Sequence, residues 1–373
     1  MTGECYILNG DCRALLRQMP SNSINCCVSS PPYFGLRDYG HVGQIGLEAT
    51  VQDYVAELVA VFSEVRRVLR DDGTLWLNLG DSYNSGPSGG LGGSTLGGGQ
   101  ANQAQSNRAW RNGSGRADGI VDNRAQRNRN GVRAIGLKPK DLIGIPWMVA
   151  FALRAEGWYL RQDIIWHKPN PMPESVKDRC TKAHEYIFLF AKSEKYYFDS
   201  NAMQEPALKG AAGSEFHTGK TGSHQLGRAS TKPRKAGNKS HKYVTAYEDS
   251  DSEEHRTKAG LMQVADKVWE TRNKRDVWTV ATKPFKEAHF ATFPPDLIEP
   301  CVLAGSPIGG TVIDPFGGAG TTGLVAVRNQ RKAILFELNP EYAAMARKRI
   351  DAEITTLTNV TNRSKHWNAS NQS

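Results

Sequence analysis

The sequence lacks the patterns that mark a membrane protein, a secreted disulfide-stabilised protein or a zinc protein. No apolar run is long enough to cross a bilayer, and the first residues carry no signal-peptide pattern. The six cysteines form no CxxC pair, and most of them lie in apolar, strand-like or helical segments, which predicts buried thiols. We therefore expect a cytoplasmic protein that holds no metal.

Hydrophobic residues are also scarce, at 39% of 373 residues, while glycine is abundant with 37 copies. Polar, glycine-rich segments must therefore dilute an otherwise ordinary core. The 47 lysines and arginines outnumber the 38 acidic residues and give a net charge of +9. This basic balance favours a polyanionic partner, most often a nucleic acid.

The strongest local signal is a glycine-rich turn between two predicted strands. IDPFGGAGTTG (313–323) follows the apolar stretch GTVI and opens a helical pattern, and a second apolar strand ends in Glu337. Glycines let the backbone approach a ligand, helix amides face an anionic group, and an acid about twenty residues later can bind ribose hydroxyls. The pattern predicts a dinucleotide or S-adenosylmethionine, although a purely structural strand–turn–helix has a similar sequence.

A second signal is the tetrapeptide Ser30-Pro31-Pro32-Tyr33, which follows the apolar stretch INCCVSS. Since two prolines cannot lie inside a strand, the tetrapeptide must follow the strand's end, where α/β sheets bind ligands. Prolines have no N–H, so the loop presents carbonyl acceptors beside a hydroxyl and an aromatic ring. These groups suit a planar base: the ring stacks on Tyr33, and the exocyclic amine donates to Ser30 and the Pro31 carbonyl. Drawing the amine out of conjugation would let it attack without a covalent enzyme intermediate, although an ordinary Pro-Pro turn has the same sequence.

Asp81 is a third candidate, because it closes the apolar stretch TLWLNLGD, predicted to be a neighbouring strand. Its carboxylate could orient Ser30 or receive a proton. It could equally serve as a helix cap or a turn acid. The sequence leaves both interpretations open.

Composition and periodicity divide the chain into folded segments and two basic, low-complexity insertions. Strand patterns alternate with helical patterns, which predicts a doubly wound, mainly parallel α/β sheet. We place the boundaries at 1–84 and 141–204 for the half that carries the tetrapeptide, 85–140 for a Gly/Arg-rich flexible insertion, 205–285 for a second basic region, 286–352 for the cofactor half and 353–373 for a polar tail.

In combination, SSPPY and DPFGGAGTTG resemble the motifs of DNA amino-methyltransferases. The similar group is the circularly permuted (beta) group, in which the catalytic tetrapeptide precedes the S-adenosylmethionine loop. NGD at 9–11, TLWLNLGDSY, WHKPNPMP and HFATFPPDLIEP also resemble that family, so the likeness covers most of the chain outside the insertions. The resemblance implies a Rossmann-like, S-adenosylmethionine-dependent methyltransferase fold in permuted order.

The resemblance further implies a set of residues around S-adenosylmethionine. Phe316, Gly318 and Gly320 would line the cofactor, Thr321 and Thr322 would meet its carboxylate, Asp314 would lie near its amino group, Glu337 would bind the ribose hydroxyls, Asp11 the adenine amine, and Phe290, Phe293 and Pro295 would close the methionine side.

The target base is implied less strictly. Serine at the first tetrapeptide position goes mostly with cytosine N4 in this family and aspartate with adenine N6, so Ser30 favours cytosine while adenine stays open. The base must flip out of double-stranded DNA to reach such a loop. The insertions would contact phosphates, with base recognition in 205–285, or they are solvated linkers.

Two further expectations concern function class and partners. A cognate restriction endonuclease is a candidate partner of such a methyltransferase. An NAD-dependent oxidoreductase would also need the glycine loop, but it leaves the tetrapeptide and the basic insertions unexplained. A catalytically silent DNA-binding module leaves both loops unexplained.

Overall fold

The computed structural model describes residues 3–36, 38–41, 43–84, 136–207, 271–283 and 292–358, and the backbone of one helix on to Ser370. The chain divides into two compact units, Met1–Ala202 with Arg275–Ser373 and Met203–Lys274. Most of the predicted insertion 85–140 and of the region 205–285 lies outside the described residues. Among the residues described, no helix is both long and apolar enough to span a bilayer.

The described residues form strands and helices in alternation over most of the chain. The strands are β1 (Cys5–Asn9), β2 (Ile24–Ser29), β3 (Leu69–Leu79), β4 (Tyr159–His167), β5 (His184–Ala191), β6 (Gln204–Pro206), β7 (Thr271–Asn273), β8 (Val277–Thr279), β9 (Thr311–Asp314) and β10 (Lys332–Glu337). The helices are α1 (Cys12–Gln18), α2 (Val51–Val68), α3 (Ile145–Ala155), α4 (Pro295–Gly305), α5 (Thr321–Arg328) and α6 (Pro340–Ser370).

An eight-stranded sheet in the order β1-β10-β9-β2-β3-β5-β4-β8 forms the first unit. Its neighbouring strands are parallel except around β5, which runs antiparallel to both β3 and β4. The predicted doubly wound, mainly parallel sheet is therefore confirmed. In the second unit, β6 and β7 form an antiparallel pair.

Burial of an apolar stripe explains helix α2, which follows the tetrapeptide. Thr50 caps α2 by accepting from the Asp53 amide, and the side chains of Tyr54, Leu58 and Phe62 are fully buried against the sheet. The helix ends at Val68, because β3 begins at the next residue and includes the sequence Asp71-Asp72-Gly73.

The predicted polar tail, 353–373, is helical over most of its length. Helix α6 continues to Ser370. An ion pair of 2.8 Å between Glu353 and Arg328 of α5 supports this continuation. The segment has too few apolar residues to show a helical hydrophobic pattern, so the sequence did not predict this helix.

Strand order brings remote parts of the chain together at one sheet edge. Strand β2 pairs with β9 through Cys27 and Ile313, and β1 pairs with β10 through Asn9 and Glu337. The carboxyl ends of these four strands consequently lie side by side, which is where an open α/β sheet binds ligands.

Candidate active site

A cavity of about 660 Å³ opens at this carboxyl edge. Its wall includes the whole tetrapeptide after β2 and the glycine-loop segment 315–319 after β9. The two loops face one cavity because β2 and β9 are direct neighbours in the sheet. The structure therefore brings together the two strongest predictions from the sequence.

The two proline carbonyls of the tetrapeptide differ in their hydrogen bonding. The Pro32 carbonyl accepts the Tyr54 hydroxyl at 2.8 Å, which ties the loop to α2. No described residue donates to the Pro31 carbonyl, and that proline lies in the cavity wall. The Pro31 carbonyl can therefore accept a hydrogen bond from a bound molecule.

Packing and hydrogen bonds fix the Tyr33 ring. A Cβ atom on Gly80 would lie 2.7 Å from Tyr33 Cε2, so the ring packs directly on a residue that must lack a side chain. The Tyr33 hydroxyl donates to Glu185 Oε2 at 2.8 Å, and the Ser30 side chain lies beside the same hydroxyl. Burial and the Glu185 carboxylate hold the pKa of Tyr33 well above its ordinary value, so the phenol stays neutral.

Glu185 and Lys168 are site residues that sequence reasoning missed. Glu185 is only 4% exposed, accepts from Asn78 Nδ2 at 3.2 Å and pairs with the Lys168 ammonium. Lys168 in turn lies over the Trp166 ring, 4.2 Å from its centroid. An acid inside the apolar stretch HEYIFLFA was the available signal, because a buried carboxylate requires partners.

Asp81 takes the second of the two roles considered for it. Its carboxylate accepts from the amides of Gly144 (3.0 Å) and Ile145 (3.2 Å) at the start of α3, and from that of Ser82 (2.9 Å). It does not form part of the cavity wall. It is a helix cap, and we do not retain it among the catalytic candidates.

The glycine loop and Glu337 form one hydrogen-bonded unit. Gly318 has a φ of 50°, and its amide donates to Glu337 Oε2 at 2.7 Å, while the Asn339 amide donates to Oε1 at 2.8 Å. Burial raises the pKa of Glu337. Each oxygen keeps a second lone pair, so the carboxylate can accept two further hydrogen bonds from ribose hydroxyls.

Asp314 is buried beneath the same loop, and its carboxylate oxygens are held from three sides. Ser29 Oγ (2.6 Å) and the Phe316 amide (3.0 Å) donate to Oδ1, and Thr322 Oγ1 (2.7 Å) donates to Oδ2. Burial raises the pKa of Asp314 to about 6 in spite of these bonds.

Three predicted cofactor residues do not line the cavity. Thr322 points into the sheet toward Asp314, and Pro295 forms the first turn of α4. Gly320 packs against α6, because a Cβ there would lie 2.8 Å from the Ala346 Cβ. Phe290 lies outside the described residues, while Phe293, Phe316 and Thr321 do line the cavity.

Replacing Gly320 with alanine should therefore destabilise the fold. Its φ of 78° strains any side chain, and the added methyl meets Ala346. Gly309→Ala is a matched control, because Gly309 has a φ of 77° and open space around the added methyl. In chemical denaturation we expect Gly309→Ala to lower the free energy of unfolding by about 1 kcal/mol. Gly320→Ala should lower it by about 1–3 kcal/mol more than Gly309→Ala does. Equal losses would show that α6 does not constrain this position.

Charge is distributed unevenly around the cavity. Asp11 lies just after β1, and Asp314 and Glu337 end β9 and β10, on one side of the tetrapeptide. Lys168 and Lys182 flank β4 and β5 on the other side. The acidic side fits a ligand with cations and hydroxyls, as in S-adenosylmethionine, whereas the pyrophosphate of a dinucleotide would be repelled. Asp11 is also engaged by Arg13 at 2.7 Å, so only part of its hydrogen-bonding capacity remains for an adenine amine.

A family model described as DNA methylase, of the N6/N4 type, matches residues 24–348. The chain belongs to the N6/N4 DNA methylase family. Like other members of this family it is a DNA methyltransferase that uses S-adenosylmethionine, which confirms the predicted cofactor. It is 41% identical over 362 residues to the Type II methyltransferase M.XycI of Xanthomonas campestris pv. cyanopsidis, covering 95% of this chain and 90% of that protein.

Solved structures of DNA methyltransferases share the fold. The PvuII DNA methyltransferase (cytosine-N4-specific) is similar with a TM-score of 0.53 and 18% identity, over 96% of this chain and 94% of that one. TTHA0409 of Thermus thermophilus, solved with S-adenosyl-L-methionine, has a TM-score of 0.50 and 20% identity over 94% of each chain. The predicted methyltransferase fold is confirmed.

Proposed function

We propose that this methylase transfers a methyl group from S-adenosylmethionine directly to N4 of a cytosine flipped out of double-stranded DNA. The observation that carries the proposal is the pair of neutral acceptors, the Ser30 hydroxyl and the Pro31 carbonyl, beside the Tyr33 ring. Serine in place of aspartate at the first tetrapeptide position favours cytosine in this family. The relatives named Type II methyltransferases support a site-specific enzyme paired with a restriction endonuclease.

The tetrapeptide would prepare the amine for attack. S-adenosylmethionine supplies an electrophilic methyl group on a sulfonium. Ser30 and Pro31 accept the two amine hydrogens, which directs the nitrogen lone pair out of the base plane, while Tyr33 stacks on the ring. Glu337 and the Gly318 loop would hold the cofactor's ribose, and Asp314 its ammonium group.

No covalent enzyme intermediate is needed for this reaction. Cys12 lies in the cavity wall, but burial raises its pKa to about 12, so it remains a thiol at neutral pH. A neutral thiol is a poor nucleophile, which supports direct transfer.

We assign sequence recognition to the second unit and phosphate contacts to the basic insertion 85–140. The predicted recognition region, 205–285, is corrected at its end: residues 275–283 belong to the first unit, where β8 pairs with β4. Trp278 there is buried at 4% exposure and donates to the Arg275 carbonyl, so its ring is part of the core and cannot read bases.

Nucleoside mass spectrometry of DNA from cells that express the protein tests the product. We expect N4-methylcytosine. N6-methyladenine would overturn the base assignment and leave the mechanism standing, and 5-methylcytosine would contradict both.

Ser30→Ala should leave a slow enzyme that still binds DNA and cofactor. The variant keeps the Pro31 acceptor and loses one hydrogen bond of about 1–3 kcal/mol, which corresponds to a roughly tenfold to hundredfold slower methyl transfer. Ser306→Ala is the control, since Ser306 is buried at the end of α4, outside the cavity wall. A wild-type rate for Ser30→Ala would remove Ser30 from the mechanism.

A further inference from the structure

Polar side chains lead from the tetrapeptide into the protein. The Tyr33 hydroxyl donates to Glu185 Oε2 at 2.8 Å, and the Ser30 side chain lies within reach of the Tyr33 hydroxyl. Ser30, Tyr33 and Glu185 all line the cavity, and Glu185 is a buried acid at the amino end of β5. Because β5 is antiparallel, its amino end lies at the same sheet edge as the carboxyl ends of the parallel strands.

Methylation of an exocyclic amine creates a need for a proton acceptor. The nitrogen forms a bond to the methyl carbon while the carbon–sulfur bond breaks, and the resulting cationic amine must lose one proton. The Ser30 hydroxyl is neutral, so it can take this proton only if it gives its own hydroxyl proton to another acceptor. Asp81, the acid nearest along the chain to β3's end, is committed to capping α3.

We propose that Glu185 receives the amine proton through Ser30 and Tyr33, as a positioning and proton-accepting residue. The inference rests on the proposed function, amine methylation at the tetrapeptide. In the step, the amine proton moves to Ser30 Oγ, the Ser30 proton to Tyr33 Oη, and the Tyr33 proton to Glu185 Oε2. The products are a neutral methylated amine and a neutral carboxylic acid, so charge and atoms balance.

The surroundings of Glu185 suit an acceptor at the end of such a series. Lys168 binds Oε1, which leaves Oε2 to Tyr33 and Asn78. The Trp166 ring also contacts the Lys168 ammonium, so the lysine keeps one partner when the carboxylate becomes neutral. The proton can return to the cavity along the same hydrogen bonds once the methylated base has left.

Tyr33→Phe separates this role from stacking, because it removes the hydroxyl and keeps the ring. We expect single-turnover methyl transfer to slow by about ten- to a hundredfold with DNA affinity unchanged, measured on a duplex containing a site that the wild type methylates. Tyr54→Phe is the matched control: it removes another buried hydroxyl bound to the same loop, at the Pro32 carbonyl, but lies outside the relay.

Glu185→Gln provides the second arm, since the amide still accepts from Tyr33 but cannot take its proton. Rate losses caused by substitutions within one relay should not multiply. The double variant Tyr33→Phe with Glu185→Gln should therefore be no slower than the slower single variant, within about twofold. Tyr54→Phe with Glu185→Gln should show the product of the two single effects. Melting temperatures of all variants separate rate losses from unfolding.

The outcomes are distinguishable. A wild-type rate for Tyr33→Phe, or effects of Tyr33→Phe and Glu185→Gln that multiply, overturns the relay while amine methylation stands. A wild-type product without a methylated exocyclic amine overturns the proposed function itself. If Glu185→Gln does not fold, Tyr33→Phe against Tyr54→Phe decides alone: equal losses contradict the relay.

Discussion

Glu337→Ala is expected to weaken S-adenosylmethionine binding by about ten- to a hundredfold, the scale of hydrogen bonds to a charged group. The carboxylate already orders the loop through the Gly318 and Asn339 amides, and each oxygen can accept one further hydrogen bond, as from a ribose hydroxyl. Removing it leaves those hydroxyls without partners and releases the loop. Isothermal calorimetry with the purified protein measures the change directly.

Two further variants make the result specific. Glu337→Gln keeps the shape and one acceptor oxygen, so its loss of affinity should fall between the wild type and Glu337→Ala. Glu353→Ala is the control, because Glu353 pairs with Arg328 away from the cavity wall. An unchanged affinity in Glu337→Ala would show that the ribose lies elsewhere.

The free energy of unfolding should depend on pH through Asp314. Burial raises the pKa of this carboxyl from 3.8 to about 6, so its ionisation favours the unfolded chain. The stability it contributes is full below about pH 4 and is lost as the pH rises through 6. At about 1.4 kcal/mol per pKa unit, a shift of roughly two units corresponds to about 3 kcal/mol.

Asp314→Asn removes this titration. Between pH 4 and pH 7, the free energy of unfolding of the variant should rise by up to about 3 kcal/mol relative to that of the wild type, as measured by urea denaturation. The pKa of Glu337 is raised mainly by burial, which both proteins share, and to a smaller extent by the Asp314 charge, which the variant lacks. Saturating S-adenosylmethionine should shrink the difference if its ammonium group lies beside Asp314. A difference that does not vary with pH would contradict the assignment.

The convergence of the two loops was predictable from the sequence. Prolines at 31 and 32 force the chain out of a strand at its carboxyl end, and the glycine loop starts at the end of another strand. In a parallel sheet those ends share one edge, so only the adjacency of β2 and β9 had to come from the structure.

Roles that depend on strand direction or on helix packing could not be predicted in this way. Glu185 reaches the site because β5 is antiparallel, and no local pattern in HEYIFLFA specifies direction. The glycine pattern does not say which glycine meets the ligand: Gly318 lies at the cavity, whereas Gly320 makes room for Ala346 of α6. The sequence allowed Asp81 to be either a catalytic acid or a helix cap. Only the position of α3, whose first amides donate to Asp81, identifies it as a cap.

The order of strands in the sheet also constrains when the enzyme can become active during synthesis. Strands β10 and β9 lie between β1 and β2, and Asn9 bonds to Glu337 across 328 residues of sequence. A ribosome adding about 5–20 residues per second needs roughly 15–60 s to supply the missing strands. Until then the tetrapeptide has no glycine loop beside it. A nascent chain that ends before β10 therefore lacks both this loop's partner strand and Glu337, and we expect it not to methylate DNA.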